Sequence, residues 1–151
     1  MKPKEIKNRV KVEMEARSEN ESLARTVASA FSAAWDPTVE ELTEIKTAVS
    51  EAVSNAIIHA YPNEDKVGSI MMEMSGTEDG HLFFTIEDEG IGIRDIEKAK
   101  EPLFTTGAPE ERSGMGFTVM ESFMDHLGVE SVDGKGTRIT MVKILGSISV
   151  V

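Results

Sequence analysis

The 151-residue chain contains no cysteine. Disulfides and thiolate-bound metal centres are therefore excluded. No apolar stretch approaches the ~20 residues that a membrane-spanning helix needs. The amino-terminal MKPKEIKNRVKVEM also lacks the apolar core of a secretory signal. These absences lead us to expect a cytoplasmic protein without membrane association. Basic charge is scarce: 16 Lys and Arg stand against 27 Asp and Glu, a net charge of −11. Affinity for DNA or RNA comes largely from neutralising phosphates, so direct nucleic-acid binding is disfavoured. A basic protein partner is compatible with the same charge. No internal repeat or low-complexity linker divides the chain, so one domain over 1–151 is expected. Its composition, 40% hydrophobic and 28% charged, suits a globular protein with a real core.

What is present is an alternation of helix and strand signals. KVEMEA at 11–16 alternates apolar and polar residues and predicts a short strand. Ser18 with Glu21 has capping-box spacing and opens a predicted helix through about Ala34. Asp36-Pro37-Thr38 breaks it. Thr38 with Glu41 repeats the capping signal, and a long helix is predicted to about His59, before Tyr61-Pro62-Asn63. GSIMMEM (68–74) and HLFFTIED (81–88) read as strands around a loop at 76–80. A further helix is predicted from about Gly114–Gly116, with Gly128 as its terminating glycine. A hairpin turning at Asp133-Gly134 closes the chain. This order predicts an α/β two-layer sandwich: a mixed, mostly antiparallel sheet with helices on one face.

Three constellations carry possible chemistry. In the long helix, at about 100° per residue, Leu42, Ile45, Val49, Val53 and Ala56 form one narrow stripe expected to pack on the sheet. Glu51, Asn55 and His59, spaced i, i+4, i+8, form a second stripe. A solvated polar face accounts for it, with His59 hydrogen-bonded near the helix end. A carboxylate and a carboxamide one turn apart can also serve a Mg²⁺–phosphate assembly. Asn offers a neutral oxygen to a hard cation, and Glu can accept a proton from a nucleophile.

The second constellation is IEDEGIGI (86–93), where an apolar strand stops at acids and glycines. Asp88 can accept a hydrogen bond from an exocyclic amine, and Gly90 and Gly92 permit unusual backbone angles and close approach. A plain turn has the same composition, whereas the ligand spacing of a calcium loop is absent. The third is RSGMGF (112–117), where two glycines open a helix. Free amides and the positive end of the helix dipole there suit phosphate, and a tight loop-to-helix junction is the simpler alternative. Neither a Walker A loop nor a Rossmann unit is present.

The order of these motifs, completed by Gly-Lys-Gly-Thr at 134–137, resembles the Bergerat-type ATP-binding domain of gyrase, heat-shock chaperones, histidine kinases and MutL, over about residues 40–145. The resemblance implies ATP or ADP with Mg²⁺ as cofactors. It makes Asn55 the Mg²⁺ ligand, Glu51 the general base and Asp88 the reader of the adenine amino group, directly and through water. Gly90 and Gly92 would shape the adenine pocket, and Thr137 would join the water-mediated contacts. Residues 103–113, with Thr105 touching nucleotide, would be a lid, and Gly114 and Gly116 would meet phosphate.

Gyrase, chaperone and MutL proteins are far longer, and no His precedes the first motif as a histidine kinase would need. ARSENESLAR, DPTVEELTEIKTAVSEAVSNAIIHAY, DEGIGI and EPLFTTGAPEERSGMGFTVMESFMD are similar to the sporulation anti-sigma F factor family across almost the whole chain. That family resemblance implies a homodimer that holds RNA polymerase sigma factor F. It also implies an ATP-dependent serine protein kinase, phosphorylating the anti-anti-sigma factor that antagonises it. Glu51 would then act on the partner's serine hydroxyl. Arg112 would clamp phosphate or sit on the lid surface, and Arg25 would lie on the surface shared by both partners. A stress-response anti-sigma kinase of the same branch and a non-catalytic, nucleotide-holding anti-sigma module remain alternatives.

Overall fold

The computed structural model describes residues 5–60, 68–92 and 116–146. Along the chain these form β1 (Ile6–Glu15), α1 (Glu19–Ser32), α2 (Val39–Asn55), β2 (Ser69–Thr77), β3 (His81–Asp88), α3 (Gly116–Phe123), β4 (His126–Val132) and β5 (Gly136–Ile144). A 3-10 turn, Ala33–Trp35, follows α1, and a π turn, Ala56–Ala60, extends α2. The five strands make one sheet in the order β1-β2-β3-β5-β4. All four pairings are antiparallel, as the expected mostly antiparallel α/β sandwich requires, with no parallel pair among the described residues.

Period-two alternation decides which sheet face is covered. Ile70, Met72 and Met74 of β2, Leu82, Phe84 and Ile86 of β3, and Ile139 and Met141 of β5 are buried. Across them lie Ile45, Ala48, Val49, Ala52 and Val53 of α2, Ala24 and Ala28 of α1, and Met120 of α3. Each large buried side chain contributes about 1.5–3 kcal/mol relative to exposure. With one Trp and six Phe in the chain, unbranched methionines fill much of this irregular space. The α2 stripe predicted from periodicity is the buried one, except that Leu42 is only half-buried and Ala48 and Ala52 complete the face. None of the helices described is long and apolar enough to cross a membrane.

Several element boundaries differ from the sequence reading, each for a tertiary reason. β1 begins at Ile6 rather than near residue 11, because pairing with β2 extends through residues whose side chains are exposed and carry no apolar alternation. The strands of the β2–β3 hairpin run to Thr77, so Gly76 lies inside β2 rather than in the loop. A Cβ on Gly76 would stand 2.3 Å from Cζ2 of Trp35 and 2.8 Å from Cδ2 of Leu82. The Trp35 indole lies there because its Nε1 donates to the Thr77 carbonyl at 2.7 Å.

α3 stops at Phe123, and Gly128, expected to terminate it, is instead within β4. Lys143 Nζ bonds the Phe123 carbonyl at 2.7 Å, and the Asp125 amide bonds Val142 O at 2.8 Å, which turns the chain into β4 early. The predicted turn at Asp133-Gly134 is present, with Gly134 at φ 81°.

The two capping-box sequences behave differently. At Thr38 both reciprocal bonds form: the Glu41 amide donates to Thr38 Oγ1 at 3.0 Å, and the Thr38 amide donates to Glu41 Oε1 at 2.9 Å. At Ser18 the expected cap is absent; the residue is helical and its side chain makes no capping bond. Glu21 is engaged elsewhere, accepting the Ser50 hydroxyl at 2.5 Å and pairing with Arg25.

Candidate functional site

Glu51 and Asn55 lie toward the end of α2, and Asp88 ends β3. The Thr38–Glu41 cap starts α2, and its apolar stripe fixes the helix rotation against the sheet. Glu51 and Asn55 are then left half-buried at the edge of the core, neither inside it nor fully solvated. The Asn55 amide nitrogen is buried and has no hydrogen-bond partner among the described residues. Immediately after Asn55 the helix opens into the π turn that contains His59. The extra residue in that turn shifts the register and frees backbone groups, a feature frequent at functional sites. The Ala60 carbonyl at its end accepts the Ile91 amide at 2.9 Å, which ties α2 to the loop leaving β3.

Glycine makes this junction possible. A Cβ on Gly90 would stand 2.1 Å from the Ala60 carbonyl oxygen and 2.5 Å from its Cβ. The close approach that Gly90 permits is thus of loop to helix. Gly92 has φ 77°, a left-handed conformation that favours glycine. Gly136, at φ 120°, lies against β3: a Cβ there would be 2.2 Å from the Asp88 carbonyl oxygen. The Gly-Lys-Gly-Thr segment at 134–137 therefore packs directly on the Asp88 turn.

Asp88 is the last residue of β3 and only 8% exposed. Burial pushes its carboxyl pKa up, opposed by the backbone amides of Gly90 and Thr137, while nearby Glu87 adds a smaller upward push. The Gly90 amide donates to Oδ1 at 3.0 Å. Two amides do not exhaust the lone pairs of a carboxylate, so Asp88 retains acceptor capacity for a donor on a ligand.

Thr137 pairs with Asp88 across the β3–β5 ladder and is also buried. Its Oγ1 lies 3.0 Å from Ser131 Oγ, which also bonds the Gly136 carbonyl at 2.9 Å. Ser131 was not anticipated. Its place beside Thr137 follows from the β4–β5 register, which no local motif reveals.

Gly116 is buried and begins α3, which packs on α2. Arg25 projects from α1 with its side chain 41% exposed, and its Nη1 lies 3.7 Å from Glu21 Oε1. The bond from Ser50 to Glu21 links the outer face of α1 to the residue preceding Glu51. Thr105, Arg112 and Gly114, and the expected lid at 103–113, lie outside the described residues. No cluster of three or more His, Asp or Glu able to hold a metal occurs among the described residues.

Comparison with known proteins addresses this geometry. Residues 14–143 match the family described as histidine kinase-like ATPase domain. An anti-sigma F factor of Thermoanaerobacter sp. (strain X514) is 54% identical over 143 residues, covering 95% of this chain and 98% of that protein. The anti-sigma F factor of Geobacillus stearothermophilus is 54% identical over 138 residues, covering 91% and 93%. Among solved structures, the RsbU and RsbW domains of a Mycobacterium tuberculosis protein superpose with TM-score 0.67 at 17% identity. That match covers 91% of this chain and 32% of the other, and at this identity it speaks for the fold. The fold, the order of the motifs and the near full-length identity agree: this chain belongs to the anti-sigma F factor family, built on the histidine kinase-like ATPase domain.

Proposed function

We propose that this protein, acting as one domain and as a homodimer, sequesters RNA polymerase sigma factor F. We further propose that it is an ATP-dependent serine protein kinase that phosphorylates the anti-anti-sigma factor opposing it. The observation that carries the nucleotide part is Asp88: a carboxylate held at a strand end, buried, positioned by two backbone amides and with acceptor capacity remaining. It accepts the adenine amino group. Thr137 and Ser131 supply hydroxyls beside it for water-mediated contacts.

Asn55 would hold a Mg²⁺ ion, because its buried amide lacks a partner among the described residues and a carboxamide can turn its oxygen toward a cation. Such an ion would supply neutralisation of phosphate charge. Glu51, one turn before Asn55, takes the proton of the partner's serine hydroxyl as that oxygen bonds to the γ-phosphorus and ADP leaves. Gly116, at the amino end of α3, and Gly114 offer backbone amides to phosphate, and Thr105 and Arg112 belong to the proposed lid. Arg25, exposed on α1, meets the sigma factor and the antagonist.

The test is transfer of labelled phosphate from ATP to purified anti-anti-sigma protein. Glu51→Gln is expected to retain ATP binding and to lose transfer by about 100-fold or more. Wild-type protein that binds ATP but transfers nothing would reduce the reading to a non-catalytic anti-sigma module. Charge reversal at Arg25 is expected to abolish sigma factor capture while leaving nucleotide affinity intact.

A further inference from the structure

Lys143 has no part in the chemistry above, yet it is the only buried cation among the described residues, 7% exposed. It stands on the core face of β5, two residues after Met141, where alternation calls for an apolar side chain. Burying an ammonium group is costly unless it is fully engaged. Its Nζ donates to the Phe123 carbonyl at 2.7 Å and to Glu44 Oε1 at 3.0 Å. Phe123 is the last residue of α3, and Glu44 lies on α2, two helical turns before Glu51. A cation at the carboxyl end of a helix also interacts favourably with its dipole.

The neighbours of Lys143 reinforce the same junction. The Asp125 amide donates to Val142 O at 2.8 Å, and the Ile144 amide donates to Asp125 Oδ2 at 2.6 Å. Residues 142–144 thus hold residues 123–125 at three points, and only Lys143 adds a tie to α2. α3 has eight residues and is about 12 Å long. Over so short a rod, a shift at the carboxyl end is carried to the amides at Gly116.

We infer that Lys143 is a positioning residue that registers the phosphate-facing end of α3 against α2 by clamping its opposite end. The inference rests on the nucleotide reading above, since it assigns the amino end of α3 to phosphate. It differs in predicting which part of the nucleotide feels the change.

The experiment compares ATP and AMP affinities of wild-type protein, Lys143→Met and Lys143→Arg. Methionine fits the apolar face but makes no clamp, and arginine can restore donors to Phe123 and Glu44. The expected result is an ATP affinity lowered about tenfold in Lys143→Met with AMP affinity nearly unchanged, and substantial recovery in Lys143→Arg. Equal loss of ATP and AMP, or no loss, would overturn the inference while leaving the nucleotide reading intact. Wild-type protein that binds neither nucleotide would overturn both. Should Lys143→Met fail to fold, Glu44→Ala removes the acceptor on α2 and keeps the bond to Phe123. A smaller drop in the ATP-to-AMP affinity ratio is then expected, and an unchanged ratio would overturn the inference.

Discussion

Strand β3 is bracketed by two aspartates of opposite character. Asp88, at its end, is buried, and burial pushes its pKa up. Asp79, in the turn before its start, is exposed, and its pKa is held down chiefly by a hydrogen bond from the Thr77 hydroxyl. Both poles also contain a glycine against which another element packs. Gly90 meets Ala60 beyond α2, and Gly76 meets Trp35 beyond α1. At the Gly76 pole the packing completes a core. At the Gly90 pole it holds a carboxylate in a place where folding alone gains nothing from its charge. A carboxylate buried at a cost to the fold is the kind of group found at functional sites, which is why the nucleotide site proposed above is centred on Asp88.

Substitutions should separate the two poles. Asp88→Asn is expected to lower nucleotide affinity about 10- to 100-fold, the range for losing a charged hydrogen bond, while Asp79→Asn leaves it unchanged; titration calorimetry measures both. Gly76→Ala and Gly90→Ala each force a methyl into occupied space and should cost about 1–3 kcal/mol in denaturant unfolding. Only Gly90→Ala should also weaken nucleotide binding, because it displaces the turn that orients Asp88. Equal nucleotide affinities in these two variants would remove the distinction between the poles.

A smaller contrast lies in the helix starts. Thr38→Ala should cost about 1 kcal/mol of stability, whereas Ser18→Ala should stay within about 0.5 kcal/mol. Comparable losses in thermal unfolding would mean that Ser18 caps α1 in solution after all.

The smallest effect is in pH dependence, and its sign differs between poles. Asp88 has a raised folded pKa, so its contribution to ligand-free stability is present below the ordinary carboxylate value and is lost as pH rises through the raised one. Asp79 has a lowered folded pKa, so its contribution is present above the ordinary value and is lost as pH falls through the lowered one. Melting curves of ligand-free Asp88→Asn and Asp79→Asn across acidic pH should therefore depart from wild type in opposite directions. In parallel, wild-type nucleotide affinity should begin to fall on acidification above the ordinary carboxylate range, as Asp88 takes up a proton and becomes a weaker, neutral acceptor.

Much of this was legible in the chain. The α2 stripe of Ile45, Val49 and Val53, the inward residues of β2 and β3 and the strand-end position of Asp88 all follow from local periodicity. So does the Thr38 cap, whose two bonds lie within four residues. The Ser18 cap does not form because Ser18 is itself helical and the Glu21 amide donates to its backbone carbonyl at 3.2 Å, while the Glu21 carboxylate takes the hydroxyl of Ser50, 29 residues away. The first residues of β1 give no local signal because they face solvent, and a strand held by its neighbour's backbone needs no apolar alternation.

Local chemistry, then, is enough to specify the helix and strand identities, the core face and the residue types at the site, because those depend on contacts within a turn or two of the chain. Which groups meet is a different matter. Gly90 against Ala60, Gly136 against Asp88, Ser131 beside Thr137, and Lys143 between Phe123 and Glu44 join residues distant in sequence or paired by strand register. Their partners are selected by how the sheet and helices pack. For the same reason the burial that raises the Asp88 pKa arises only in the assembled fold.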